Sequence, residues 1–151
     1  METSDLAKWR AHVIERSINL EWIVSATISQ HYFGAVPLSF LNEVLFDEQF
    51  HFGLKCNVLA KVLEPSARQL IDNLRRLGNI RNTFAHCGPH LASPAHPEGF
   101  AQHPKRLGVP LDFGALFEEF KRLSPRVEQE LLSAFRSKGG VASTEPPFPS
   151  A

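Results

Sequence analysis

Residues 66–89 read SARQLIDNLRRLGNIRNTFAHCGP, and this stretch decides the architecture. Ser66-Ala67-Arg68-Gln69 has the form of a capping box, in which a hydroxyl and a side-chain amide satisfy the free N–H groups at a helix start. Leu70, Leu74, Leu77 and Phe84 follow steps of four, three and seven, so one side of that helix is a buried stripe. Gly88-Pro89 supplies the stop, a C-terminal glycine followed by a residue that cannot continue a helix. Gly78 in the middle costs about 1 kcal/mol relative to alanine, which points to a kink or a close packing contact.

Outward from this helix the same period recurs. Leu6, Trp9, Val13, Leu20, Val24 and Ile28 share one face of a long first helix beginning near Ser4, and Ile14, Ile18 and Trp22 form a second row on its flank. A helix apolar over that much of its circumference is expected to be covered on two sides, with the bundle and a second subunit as candidate covers. Gly34 and Pro37 end it. Short helices are predicted near 39–47 and 50–63, the latter closed by Glu64-Pro65 because the residue before a proline leaves the helical region.

On the C-terminal side, Phe113, Leu116, Phe117, Phe120, Leu123, Val127, Leu131 and Phe135 keep one face from Asp112 to about Arg136. Ser124-Pro125 either splits that run into two helices or kinks one. Residues 88–110 hold five prolines, three glycines and three histidines without periodicity, and read as a long mobile loop. Residues 138–151, with Pro146, Pro147 and Pro149, read as a disordered tail. There is no internal repeat and no alternation strong enough to predict a sheet. The expected fold class is all-α, a single bundle of four to five helices over residues 4–137.

Composition narrows the function. The chain has 151 residues and 16.9 kDa, the size of one domain. Sixteen Lys and Arg balance sixteen Asp and Glu, which argues against a polycationic nucleic-acid coat or a membrane-surface carpet. Two cysteines, Cys56 and Cys87, are too few for a disulfide framework or a thiolate metal cage. No apolar run approaches the roughly 18 residues of a membrane span, and METSDLAKWR carries acids where a signal peptide would be basic. A soluble cytoplasmic protein is expected. The charge is unevenly spread: basic and acidic residues number three and seven in 1–50, eight and three in 51–110, and five and six in 111–151. A basic middle suits an anionic ligand or a partner of opposite charge, and equally suits ordinary solvated helix faces.

The last turns of the capped helix read Arg81-Asn82-Thr83-Phe84-Ala85-His86. This Arg-x4-His, with Asn directly after Arg near a helix C-terminus in a small helical chain, resembles the signature of the HEPN superfamily. The Phe33-Gly34 turn before a short apolar helix, with the Arg-Asn-x-Phe-Ala-His ending, is similar to the mannitol-repressor-like branch. The resemblance implies a HEPN-like bundle acting as a metal-independent endoribonuclease in a toxin, defence or RNA-processing role. It also implies a homodimer whose two motifs make one cleft, no cofactor, and 2′,3′-cyclic phosphate ends. On that comparison His86 is general base or acid, Arg81 stabilises the phosphorane charge and Asn82 orients one of them. Arg75 and Arg76 would add RNA contacts. The alternative is a non-catalytic helical regulator or antitoxin-bound scaffold that works by protein contact.

The chemistry is coherent on its own terms. Histidine exchanges protons near neutral pH, with an unperturbed pKa of about 6.5. A guanidinium stays charged and grips phosphate oxygens with a two-donor fork. RNA brings its own nucleophile in the 2′-hydroxyl. At 100° per residue Asn82 and His86 share a face, whereas Arg81 lies about 140° round from His86. Either the last turn unwinds, or two copies pair their motifs; the second is the expectation. The same residues also suit a structural role, with Arg81 held by Glu21 or Asp72 and both cations favoured by the helix dipole.

Other chemistry is weaker. His86, Cys87, His90, His96 and His103 crowd one segment, but Gly88-Pro89 interrupts any i,i+4 histidine pair, so no metal site is expected. Cys56 and Cys87 read as a buried thiol and a helix-end thiol. The chain has no GxxxxGK[ST], GxGxxG, GxSxG or HExxH.

Overall fold

The computed structural model describes residues 3–86, 102–103 and 106–141. The expected loop, apart from a short hairpin, and the expected tail beyond Val141 lie outside the described residues, as do Cys87, His90, His96 and the Gly88-Pro89 stop. The fold is an all-α bundle. Helix α1 spans Thr3–Phe33, α2 is the single turn Leu38–Phe40 running into a π turn at Leu41–Leu45, and α3 spans Phe52–Val62. A 3₁₀ turn at Pro65–Ala67 leads into α4, Arg68–His86, and α5 spans Phe113–Ser137. Two short antiparallel strands, β1 (Gln102–His103) and β2 (Arg106–Pro110), stand where no sheet was expected.

Helix α1 is the centre of the bundle. From Val24 to Gln30 every residue is buried, so α1 there is enclosed all round. The small residues Ser25, Ala26, Thr27 and Ser29 let its neighbours approach, and Thr27 Oγ1 donates back to the Ile23 carbonyl at 2.8 Å. Helix α5 runs parallel to α1: Trp9 stacks on Phe117, Arg16 meets Glu128 at 3.3 Å, and Gly139 lies against the Gln30 amide. Helix α4 runs antiparallel to both, with Phe84 edge-on to Phe113 and Arg10 Nε donating to the Phe84 carbonyl at 2.7 Å. The cover on α1 therefore comes from this chain's own helices. The second row is only partly covered, with Ile18 59% exposed and Trp22 stacked on Phe46.

The predicted stripe of α4 is buried. Leu74 and Phe84 are sealed from solvent, with Leu70 and Leu77 close to it, and each such side chain contributes about 1.5–3 kcal/mol. The start of α4 differs from the capping box. Pro65, with its pre-set φ, opens the 3₁₀ turn one residue before Ser66, so Ser66 is already inside the turn. Gln69 points forward instead of back, donating to Asn73 Oδ1 at 3.1 Å. Helix α5 is one element through Pro125, because Phe120, Ser124, Val127 and Leu131 bury on both sides of the proline. It ends in a Schellman motif: Gly139 N–H donates to the Arg136 carbonyl and Gly140 N–H to that of Phe135, which requires the positive φ of 89° at Gly139.

Gly78 marks a close packing contact. A Cβ there would lie 2.9 Å from the Phe52 ring at the start of α3, so α3 and α4 cross at this bare backbone. Gly78→Ala is expected to lower stability by about 1 kcal/mol, the overpacking cost exceeding the gain in helix propensity. In a Phe52→Ala background the same change should stabilise. Urea unfolding of the four chains of that cycle checks both signs.

Candidate functional site

The crossing of α3 on α4 leaves a cleft of ≈ 700 Å³ against α1, within the usual range for a small-molecule site. Leu20, Phe52, Cys56 and Leu77 are its apolar lining, and Ser17, Glu21, His51, Asn57, Asn79 and the arginines supply the polar groups. Arg75, Arg81 and Asn82 line it; Arg76 and His86 do not. Arg76 sits on the other side of α4, where its Nε and one terminal nitrogen each donate at 2.7 Å to the Glu119 carboxylate of α5. That fork raises the Arg76 pKa and holds the Glu119 carboxyl below its ordinary value. His86 is exposed in the last turn, and the 140° between Arg81 and His86 keeps them on different faces in a single chain.

The two cleft arginines are each held by an amide carbonyl. Arg75 donates to Asn57 Oδ1 at 2.7 Å, and Arg81 donates to Asn82 Oδ1 at 3.1 Å. Arg16, Lys55, Arg76, Lys121 and Arg126 all have carboxylate partners. Neither Glu21 nor Asp72 takes Arg81. A neutral amide carbonyl positions a guanidinium without cancelling its charge, so Arg75 and Arg81 present full positive charge to the cleft.

Glu21, the carboxylate among the cleft residues, is answered from below. Its Oε1 accepts from Lys55 Nζ at 2.7 Å; Lys55 is fully buried, and the ammonium also lies 4.5 Å from the centre of the Phe46 ring. Glu21 therefore adds little net repulsion to an anion. His51 caps α3: its Nδ1 accepts from Leu54 N–H at 3.2 Å, which puts the proton of the neutral ring on Nε2. Ser17 Oγ is buried with no hydrogen-bond partner among the described residues.

Cys56 is not a nucleophile here. Burial pushes its thiol from 9.0 up to about 11, with Arg75 pulling the other way and Glu21 adding to the rise. A folded-state pKa above the unfolded one favours folding below pH 9, and that contribution is lost as pH rises towards 11. Between those limits the parent should lose about 2 kcal/mol more stability than Cys56→Ala, measured by urea unfolding at each pH. Among the described residues no three His, Cys, Asp or Glu side chains stand close enough to share a metal ion.

His51, Phe52, Asn57 and Ser17 were not singled out by the sequence. Their one signal was indirect: mid-helix Gly78 announced a close approach without naming what approaches. Compared with family models, curated proteins and solved structures, the chain matches none.

Proposed function

We propose that this chain is a homodimeric, metal-independent endoribonuclease of the HEPN type, acting in the cytoplasm in a toxin, defence or RNA-processing role. What carries the reading is the pair of cleft arginines held by asparagine carbonyls, Arg81 within the Arg-x4-His motif itself. Uncancelled guanidinium charge in a walled cleft suits a phosphodiester and the extra charge of its phosphorane. Arg81 stabilises that charge, Asn82 fixes the guanidinium, and Arg75 holds a neighbouring phosphate. The 2′-hydroxyl of RNA is the nucleophile: its oxygen attacks the adjacent phosphorus, the 5′-oxygen leaves, and His86 moves the protons. Because His86 lies outside its own chain's cleft, the acid–base group comes from the second copy.

That same position of His86 favours a second reading, a non-catalytic helical regulator that binds a protein or antitoxin partner. Incubating the purified chain with total RNA in EDTA separates the two. The nuclease reading expects fragments ending in 2′,3′-cyclic phosphate from a dimer; intact RNA, or a monomer at micromolar concentration, overturns it. Among the described residues no helix is long and apolar enough to cross a membrane.

A further inference from the structure

We infer that Glu21 is a further catalytic residue, the general base that takes the proton of the attacking 2′-hydroxyl, which leaves His86 to protonate the leaving 5′-oxygen. This rests on the nuclease reading above and divides its proton transfers between two groups. In an in-line displacement the attacking and leaving oxygens lie on opposite sides of the phosphorus, so one imidazole cannot serve both in the same step. The cleft itself must supply the second carrier. Among the described residues the titratable groups that line it are Glu21, His51, Cys56, Arg75 and Arg81. The arginines stay protonated. Cys56 is held as a thiol by the burial that pushes it up to about 11. His51 commits Nδ1 to the Leu54 N–H, so its other nitrogen carries the proton and has no lone pair to take another. Glu21 remains.

The setting of Glu21 suits the role. Its Oε1 accepts from the buried Lys55 Nζ at 2.7 Å, which fixes the carboxylate on the cleft floor. The side chain is still partly exposed, and the second oxygen is left to accept a hydroxyl proton. Arg75 and Glu21 both act on the Cys56 thiol, so they stand at the same end of the cleft. Arg75 and Arg81 are about 9 Å apart along the α4 axis, too far for one phosphate and suited to two along a strand. The ribose between those two phosphates carries the 2′-hydroxyl that attacks the phosphorus at Arg81, and on this placement it meets Glu21. In the step the 2′-oxygen gives its proton to Glu21 Oε2 and bonds to phosphorus. The bond from phosphorus to the 5′-oxygen breaks, and that oxygen takes the proton of the second copy's His86 imidazolium. Glu21 ends protonated and His86 neutral, and exchange with water resets both.

The test is cleavage in EDTA of an oligoribonucleotide spanning a site that the full chain cuts, and of the same strand with sulfur in place of the bridging 5′-oxygen at that site. A thiolate leaves without a proton, because a thiol is a far stronger acid than an alcohol. Glu21→Gln keeps an oxygen for Lys55 and should cut both linkages roughly 10²–10⁴-fold more slowly than the parent. His86→Ala should be slow on the oxygen linkage and recover most of its rate on the sulfur one. Glutamine does not answer the Lys55 charge, so the loss is also read between Lys55→Met and Lys55→Met with Glu21→Gln, two chains without the buried ammonium. Dichroism shows which chains are folded. A loss of the same order in that second pair supports the inference, and so does a Glu21→Gln chain slow on both linkages, whatever His86→Ala does. Rescue of Glu21→Gln by sulfur overturns it, since Glu21 would then be the acid. If the parent cuts RNA and the folded Glu21→Gln chains cut equally well, the nuclease reading stands and this inference falls. A parent that cuts no RNA overturns both.

Discussion

Arg81→Lys and His86→Ala are each expected to lower RNA cleavage by roughly 10²–10⁴-fold while leaving the circular dichroism of the chain unchanged. On the proposed nuclease reading the His86 loss is that of a proton carrier, and the side chain is exposed, so no packing is forfeited. For Arg81 the sequence left a risk, since its helical bearing falls at the edge of the Leu70/Leu74/Leu77/Phe84 stripe. The structure removes it: Arg81 is exposed, and its hydrogen bond runs to neighbouring Asn82. Lysine keeps the charge but loses the planar fork that matches two phosphate oxygens. Cleavage in EDTA and dichroism on the same samples decide. Two folded variants cutting as well as the parent would end the catalytic account.

The largest stability effect is expected at the pair beneath the cleft. Lys55 is wholly buried with Glu21 Oε1 at 2.7 Å, and removing the carboxylate leaves an ammonium with only the Phe46 ring to face it. Glu21→Ala should destabilise by about 3 kcal/mol, the low end for a broken buried pair because Glu21 is partly exposed and water can reach the gap. Lys55→Met should be nearly neutral or stabilising, since it removes the desolvated charge and fills the same space. Urea midpoints at pH 7 measure both. Equal losses for the two changes would mean that the pair contributes through its attraction and not through the cost of stranding one charge.

Much of the fold was legible because helix packing writes itself as a 3.6-residue period. The faces of α1, α4 and α5 follow from Leu6–Ile28, Leu70–Phe84 and Phe113–Leu131, and the breaks at Gly34 and Pro37 and the Glu64-Pro65 closure follow from backbone sterics. The capping box failed because Pro65 opens a turn before Ser66 can cap it. The strands Gln102–His103 and Arg106–Pro110 are too short for an alternating pattern to show. The candidate site was legible only in part. Arg81, Asn82 and the divergent bearing of His86 come from one helix and one angle. The cleft does not, because it exists only where Phe52 meets Gly78 and where Asn57 of α3 reaches Arg75 of α4. Arg75 and Arg76 are adjacent and identical in sequence, yet one holds an amide in the cleft and the other a carboxylate on α5. Sequence alone has no means to separate them.

The claim that one chain supplies Arg81 and its partner supplies His86 is tested most directly by mixing two inactive variants. Arg81→Lys and His86→Ala chains, unfolded together and refolded, should form heterodimers in which one of the two clefts has both native residues. About half the dimers would be mixed, so the mixture should recover about a quarter of the parent's cleavage rate in EDTA. No recovery from a mixture shown by mass spectrometry to contain the heterodimer would contradict the composite site.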